Sequence, residues 1–295
     1  MKIGVVFPQT DIGNDPIGIR DYAQAAEGMG FTHVLAYDHV LGANRERYRD
    51  LTGPYSHRDA FHEPFVLFGF LAAAVPRLEF ATGIVILPQR QTALVAKQAA
   101  AVDVLSGGRL RLGVAVGWNY VEYEALGQDF HVRGKRIEEQ MELLRALWTR
   151  ELVTHQGRFD RVVDAGINPL PVQRPIPLWI GGHIEAAMRR AARLADGWMW
   201  SSNRRPDAEA QALADRTHEL VKAGGRDPAS FGIEGRVTLA RLTPDQWASE
   251  IEGWRTMRGV THLSVDTMRM GLTKPGEHID TLRRFKDAVG SLNAR

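Results

Sequence analysis

Short runs of strand-forming residues alternate with longer amphipathic stretches along the whole of this 295-residue sequence. Their spacing predicts eight strands, at residues 2–7, 33–37, 78–87, 109–116, 177–180, 197–201, 231–239 and 262–265. It also predicts eight helices, at residues 17–29, 64–75, 93–105, 134–148, 183–194, 206–223, 244–257 and 276–289. Strands that alternate with helices lie parallel in one sheet, because each helix returns the chain to the edge at which the previous strand began.

Eight strand–helix units favour an α/β fold of the closed (β/α)8 TIM barrel type. An open doubly wound sheet usually has fewer strands, and its glycine-rich dinucleotide motif after the first strand is absent from this sequence. The alternation breaks only at residues 152–175, where two short runs, 152–155 and 158–163, predict a hairpin. We interpret this segment as a small hairpin insertion after the fourth helix, so that residues 1–295 form a single barrel domain.

The composition excludes several classes of function. The chain has no cysteine, which excludes disulfides, thiolate metal sites and cysteine nucleophiles. Its formal net charge is only +2 and no run is rich in lysine or arginine, so nucleic acid is not an expected partner. No apolar run approaches the ~18 residues that cross a bilayer, and the N-terminal run is too short for a signal sequence. We therefore expect a cytoplasmic protein with a small-molecule substrate and no membrane partner.

Asp38 and His39 directly follow the predicted second strand. The functional groups of such barrels lie on the loops after the carboxyl ends of the strands. A histidine with a carboxylate beside it can donate a proton or orient a ring heteroatom. The alternative is an N-cap or a turn pair without a chemical role.

Glycines mark three further strand ends. Thr82-Gly83-Ile84 lies inside the predicted third strand, where a glycine indicates a bulge, a close approach to a ligand, or crowding against a helix. Gly117-Trp118 ends the fourth strand and offers close backbone approach beside a flat apolar wall, although a tryptophan there is also consistent with plain packing. Gly181-Gly182-His183 joins the fifth strand to a helix, which favours phosphate binding over a simple tight turn.

In combination these motifs resemble the bacterial-luciferase-like family, which includes monooxygenases and deazaflavin-dependent oxidoreductases. The similarity is dense from residue 2 to about residue 198 and weak afterwards. The matching stretches are ATGIVILP (81–88), LVAKQ (94–98), VDVLSGGR (102–109), LGVAVGW (112–118), EALG (124–127), Gly181-Gly182, RRAA (189–192) and ADGW (195–198).

The resemblance implies a flavin-type coenzyme that lies across the mouth of the barrel. Thr82, Gly83, Ile84 and Trp118 would contact its ring, with a non-proline cis peptide at Gly83-Ile84. Its phosphate would lie at Gly181, Gly182 and His183, with Gly117 on the other side. Asp38-His39 matches a pair in deazaflavin-using relatives, in which the histidine lies near the reactive ring carbon. This pair, with Gly83-Ile84, favours coenzyme F420 over FMN.

The resemblance therefore predicts hydride transfer between F420 and a small organic substrate, with His39 and Asp38 as the catalytic pair and a homodimer as the assembly. Some relatives carry a carboxylate proton donor where Trp118 stands, so sugar-phosphate dehydrogenase activity is not expected. The nearby residues that could compensate for this missing carboxylate are Asn119, Glu122 and Tyr123.

Three alternatives remain open from the residues. One is an FMN-dependent monooxygenase that uses reduced flavin and oxygen, and another is a non-catalytic flavin-binding protein. The third is a metal-dependent hydrolase, because Asp38, His39, His57, His62 and Glu63 are possible ligands, although no strand ends in His-x-His. The loop at residues 42–62, hereafter the mouth loop, is expected to overhang the barrel and shape the substrate pocket.

Overall fold

Nine parallel strands close into a barrel in a computed structural model that describes residues 1–200 and 204–291. The sheet has the order β3-β2-β1-β11-β10-β9-β8-β5-β4, and an additional pairing between β3 and β5 closes it. This confirms the predicted TIM barrel. The strands of the described residues are β1 (Lys2–Val6), β2 (His33–Ala36), β3 (Glu79–Thr82), β4 (Val85–Ile86), β5 (Leu110–Ala115), β6 (Val153–Gln156), β7 (Arg161–Ala165), β8 (Leu178–Gly181), β9 (Gly197–Met199), β10 (Gly232–Thr238) and β11 (Val260–Asp266).

Helices surround the barrel and cover its outer face with apolar side chains. Nine α-helices occur in the two described segments, where eight were predicted. The additional one is α4, a single short helix in the loop after β5. The helices are α1 (Pro16–Gly28), α2 (Pro64–Ala72), α3 (Thr92–Ser106), α4 (Tyr120–Ala125), α5 (Arg133–Thr149), α6 (Glu185–Leu194), α7 (Ala208–Ala223), α8 (Pro244–Thr256) and α9 (Pro275–Val289).

The predicted third strand is interrupted, so its description as one strand over residues 78–87 was wrong. β3 ends at Thr82 and β4 begins at Val85, and the peptide between Gly83 and Ile84 is cis. The Gly83 amide donates to the carbonyl oxygen of Ala36 at 2.7 Å, and Thr82 Oγ1 donates to the Gly113 carbonyl at 2.7 Å. These bonds satisfy polar groups that the break would otherwise leave without partners inside the sheet. Together β3 and β4 occupy the position of one barrel strand, the third of eight, and each of these eight positions is hereafter called a stave.

The predicted insertion, residues 152–175, contains the antiparallel pair β6 and β7. Glu139 on α5 accepts backbone hydrogen bonds from Arg158, Phe159 and Asp160, which hold the hairpin turn against this helix. The assignment of residues 1–295 to one domain stays a prediction. The last residue of the predicted sixth strand, 201, lies outside the described residues. None of the described helices combines the length and the apolar character needed to cross a membrane.

A buried network of charged and polar side chains fills the lower part of the barrel. Glu234 on β10 accepts hydrogen bonds from Ser264 at 2.6 Å and from Arg111, and His33 lies 3.2 Å from the same carboxylate. Burial alone would raise the pKa of Glu234, but the charge of Arg111 and the contact with His33 hold it well below its usual range. The inside of the barrel below the mouth is therefore a filled ionic layer and not a channel.

His262, at the edge of this network, makes the stability of the protein depend on pH. Burial, with the nearby charge of Arg111, lowers the pKa of His262 from 6.5 to about 2. As the pH falls below 6.5 the unfolded chain takes up a proton here that the folded chain does not, so the free energy of unfolding decreases. We expect His262→Gln to remove up to about 1.4 kcal/mol per pH unit of this decrease, measured by urea unfolding at about pH 7.5 and about pH 5.5.

His183→Gln is the matched control, because the side chain of His183 is exposed. This variant should keep the pH dependence of the wild-type protein. An identical dependence in His262→Gln and in the wild type would contradict the role assigned to His262.

Candidate active site at the mouth of the barrel

Strand order brings the four predicted glycine and histidine positions to the same end of the barrel. Asp38 and His39 follow β2, the Gly83-Ile84 break lies in the adjacent stave, Gly117 and Trp118 follow β5, and Gly181 ends β8. The carboxyl ends of parallel strands meet at one mouth, which is where barrels of this type bind ligands.

Glycine lets the backbone approach the break closely at two of these positions. A Cβ atom on Gly181 would lie 2.6 Å from Cγ2 of Ile84, and one on Gly117 would lie 2.7 Å from Cγ2 of Ile86. Gly117 also has a φ of +65° and Gly182 a φ of +148°, conformations that favour glycine. β5 and β8 can therefore pack against the break only because these residues lack side chains.

Asp38 is directed towards the break and away from solvent. Its Oδ2 accepts a hydrogen bond from the Ile86 amide at 3.0 Å, and its Oδ1 accepts one from Arg90 Nη2 at 2.7 Å. Burial raises the pKa of Asp38, and the charge and hydrogen bond of Arg90 limit the rise. Arg90 also binds Glu63, which caps the first turn of α2. Asp38 thus links the end of β2 to β4 and to α2.

His39 points to the other side of the loop and forms a buried pair with Glu122 on α4. His39 Nδ1 lies 2.9 Å from Glu122 Oε2, and the Glu122 side chain has no exposed surface. Glu122 Oε1 accepts from the amides of Val40 and Leu41, at 2.6 Å and 3.3 Å. Because a carboxylate can only accept, the hydrogen of the neutral imidazole is assigned to Nδ1, which leaves Nε2 free to exchange a proton with a ligand.

Three aromatic rings surround His39 edge-on. The ring centroids of Phe61, Tyr55 and Trp118 lie 4.9 Å, 5.4 Å and 5.6 Å from that of His39. Phe61, Tyr55 and Ile84 pack against one buried apolar cluster, so the His39 pocket adjoins the break in the third stave. A cavity of about 310 Å³ opens beside His39. It is lined by His39, Val40, Leu41, Gly42, Tyr55, Ser56, His57, Asp59, Phe61, Trp118 and Asn119.

The mouth loop covers Trp118. Gly53 lies so close to the indole that a Cβ atom there would be 2.3 Å from its ring atoms, and the Arg45 guanidinium lies 5.6 Å from the ring centroid. The Trp118 indole therefore lies between His39 and the mouth loop and forms part of the cavity wall.

Gly182 and the N-terminus of α6 form the opposite side of the mouth. α6 begins at Glu185, so the predicted helix start at His183 was two residues too early, and the His183 side chain is exposed. The N-cap, Ile184, has an apolar side chain and makes no capping hydrogen bond. The Ala187 amide donates to the Ile184 carbonyl at 2.9 Å, so the amides of Glu185 and Ala186 are the first-turn donors that could bind a phosphate.

The candidate metal ligands are not gathered. In residues 1–200 and 204–291 no group of three or more His, Asp or Glu side chains is placed to hold a metal ion. His39 and Glu63 have separate partners, Glu122 for the first and Arg90 for the second. The geometry therefore gives the metal-dependent hydrolase no support.

Sequence similarity extends over almost the whole barrel. The sequence model of the family described as luciferase-like monooxygenase matches residues 1–286. The chain belongs to this family. Its members' names indicate oxidoreductases and monooxygenases, as the resemblance predicted.

Curated relatives differ in their coenzymes. An uncharacterised protein of Mycobacterium tuberculosis is 37% identical over 209 residues, which covers 69% of this chain and 71% of the relative. An FMNH2-dependent dimethylsulfone monooxygenase of Pseudomonas fluorescens is 30% identical over 213 residues, covering 70% and 55%. An F420-dependent glucose-6-phosphate dehydrogenase of Segniliparus rotundus is 28% identical over 240 residues, covering 79% and 67%. Relatives thus use either a flavin or a deazaflavin.

Solved structures share the fold at low identity. A monooxygenase from Streptomyces bottropensis superposes with a TM-score of 0.80 at 20% identity and covers 98% of both chains. An F420-dependent secondary alcohol dehydrogenase in complex with an F420–acetone adduct gives a TM-score of 0.77 at 17% identity, covering 98% of this chain and 99% of that one.

The Asp38–Arg90 ion pair should contribute strongly to stability. Its side chains are 0% and 12% exposed, and removing one partner of a buried pair leaves an uncompensated charge. We expect Arg90→Met to lower the free energy of unfolding by about 3–5 kcal/mol in urea titrations followed by circular dichroism. Arg283→Met is the control, since the Arg283–Asp280 pair is exposed and should contribute less than about 1 kcal/mol. Equal losses in the two variants would refute this ranking.

Proposed function

We propose that the chain is an oxidoreductase that transfers a hydride between coenzyme F420 and a small organic substrate. In this proposal His39 exchanges the proton that accompanies the hydride, and Glu122 positions His39. The observation that carries it is the buried 2.9 Å hydrogen bond between His39 and Glu122 at the mouth of the barrel. The family includes F420-dependent enzymes, as the name of one relative states.

The residues at the mouth fit a coenzyme with a flat ring and a phosphate. The backbone at Gly182 and the amides of Glu185 and Ala186, the first two residues of α6, would bind the phosphate, with His183 at the rim. Thr82, Gly83, Ile84, Gly117 and Trp118 would border the ring, where two of the glycines leave no room for a Cβ atom. Asp38 would support this surface indirectly, because both of its oxygens are already bonded to Ile86 and Arg90.

The histidine–glutamate pair has the properties that proton exchange requires. When bound, F420 supplies or accepts a hydride at its ring. Reduction of a carbonyl group consumes one hydride and one proton, and Nε2 of a protonated His39 can donate that proton. Glu122 then holds the neutral ring through Nδ1, and the pair takes a proton back from solvent. Dehydrogenation follows the same steps in reverse.

A second candidate is an FMN-dependent monooxygenase. It is favoured by the 30% identical dimethylsulfone monooxygenase, and the aromatic wall around His39 would keep water from a reactive intermediate. Oxygen consumption that depends on reduced FMN and on an added substrate would distinguish it from hydride transfer with F420.

Coenzyme preference is directly measurable. We expect fluorescence titration of the purified protein to give an affinity for F420 at least about tenfold higher than for FMN. Tight FMN binding with no F420 binding would overturn the coenzyme assignment.

Gly181→Val should weaken binding of the coenzyme, because the new side chain would displace Ile84. Gly276→Ala should not weaken it, because a Cβ atom there meets nothing within 4 Å.

Glu122→Gln tests the pair itself. The amide oxygen of the substituted side chain can still accept from the Val40 and Leu41 amides, but its NH2 group would face Nδ1 of His39 and force the proton of the neutral ring onto Nε2. We expect the fold and the coenzyme affinity to be retained and kcat to fall by about 100-fold or more.

Nitrogen-15 NMR of the labelled histidines provides a readout that a purely structural role would not change. The His39 resonances should shift from the Nδ1–H to the Nε2–H pattern in Glu122→Gln. An unchanged tautomer together with unchanged kcat would remove the basis for the proposed role of Glu122.

A further inference from the structure

Arg236 is a largely buried cation that sequence analysis did not single out. It lies on β10, two residues beyond Glu234, and so points to the inside of the barrel, whereas Gly235 between them faces Trp254 on the outer helix α8. The layer below, around Glu234, is buried, so the partly exposed side chain of Arg236 opens towards the mouth.

No described residue forms an ion pair or a hydrogen bond with the Arg236 guanidinium, and its Nε is fully buried without a partner. Thr238, on the same face of β10, also has a buried hydroxyl oxygen without a partner in the described segments. The flat face of Arg236 is supported by Tyr37, whose ring centroid lies 4.8 Å from the guanidinium carbon. A buried cation normally has a direct counter-charge, and within residues 1–200 and 204–291 the Arg236 guanidinium has none, so its donors are available to a ligand.

Asp266 is the neighbouring carboxylate, and each of its two oxygens has another hydrogen-bond donor beside it. It accepts from the Met268 amide at 2.8 Å and lies 3.4 Å from the Tyr37 hydroxyl. Asp266 acts on Arg236 only through the electric field, since the two side chains do not form a contact ion pair. Because Asp266 does not contact the guanidinium, an oxyanion of a ligand can bind beside Arg236.

The position of Arg236 relates it to the His39 pocket. Tyr37, which supports Arg236, lies 6.4 Å from Tyr55 between ring centroids, and Tyr55 lies 5.4 Å from His39. Arg269 at the rim lies 6.0 Å from the Tyr55 ring and adds a second positive charge to the same side of the mouth. An anionic ligand that entered the mouth would meet these two cations.

We propose that Arg236 binds an anionic group of the substrate, a carboxylate or a similar oxyanion, so that the enzyme acts on small organic acids. This inference rests on the proposed function, because it assigns the substrate class of the same site. The planar guanidinium can donate two parallel hydrogen bonds to a carboxylate, which selects an anion over a neutral analogue of the same shape.

Benzoate and the neutral benzamide, titrated by calorimetry against the full chain without coenzyme, test the proposal. The wild-type protein should bind benzoate at least about tenfold more tightly than benzamide, and Arg236→Gln should lose that preference. Arg283→Gln, which changes an exposed arginine, should retain it. Equal binding of the two compounds by the wild type, or an unchanged preference in Arg236→Gln, would overturn the proposal.

Asp266→Asn makes a second test in case Arg236→Gln does not fold. It removes the negative charge that competes with the ligand, so benzoate should bind several-fold more tightly and benzamide should be unaffected. Weaker binding of benzoate by Asp266→Asn would contradict the proposal that the anion binds beside Arg236 and Asp266.

Coenzyme titration separates this inference from the proposed function. Arg236→Gln should bind F420 as the wild type does. A loss of F420 affinity with unchanged benzoate binding would assign Arg236 to the coenzyme and overturn its role in substrate binding. Because the benzoate preference is measured without coenzyme, it does not depend on whether F420 or FMN is the natural partner.

Discussion

The buried carboxylate of Asp38 holds together the part of the barrel on which the candidate site depends. It receives the Ile86 amide on one oxygen and Arg90 on the other, so it fixes the strand segment beyond the break in the third stave. Gly117 and Gly181 then approach this segment with no side chains between. The next residue along the chain, His39, turns to the opposite side and meets Glu122. One dipeptide thus supports the proposed coenzyme surface and presents the group proposed to exchange the proton.

The barrel could be predicted from the sequence because local hydrophobic periodicity marks each strand and each helix, and the number of strand–helix units then indicates the fold. It also identified the mouth residues, since parallel strands bring their carboxyl ends together. It did not predict the interruption at Gly83-Ile84 as two separate strands, because the hydrogen bonds that compensate it come from Ala36 and Gly113 in the neighbouring strands. Whether Asp38, His39 and the glycines bind a coenzyme stays a prediction.

Glu122 and Arg236 show where a single sequence carries too little information. Glu122 lies 83 positions from His39 and on a short helix that was not predicted, so only the three-dimensional structure brings the two together. Its signal in the sequence was limited to a polar residue shortly after Gly117-Trp118. Arg236 resembles any strand arginine in sequence. Its significance arises because no residue in the described part of the chain pairs with its guanidinium, a property that composition and spacing do not report.

The mouth loop and the histidine–glutamate pair are attached to different parts of the chain. His39 is held by β2 and α4, and neither anchor belongs to residues 42–62, although that loop supplies Tyr55, Phe61 and much of the cavity lining. This division makes the site modular. A change in the sequence or length of this loop could alter which molecules enter the site while His39 keeps its position. One ancestral barrel can diversify in this way into enzymes with different substrates.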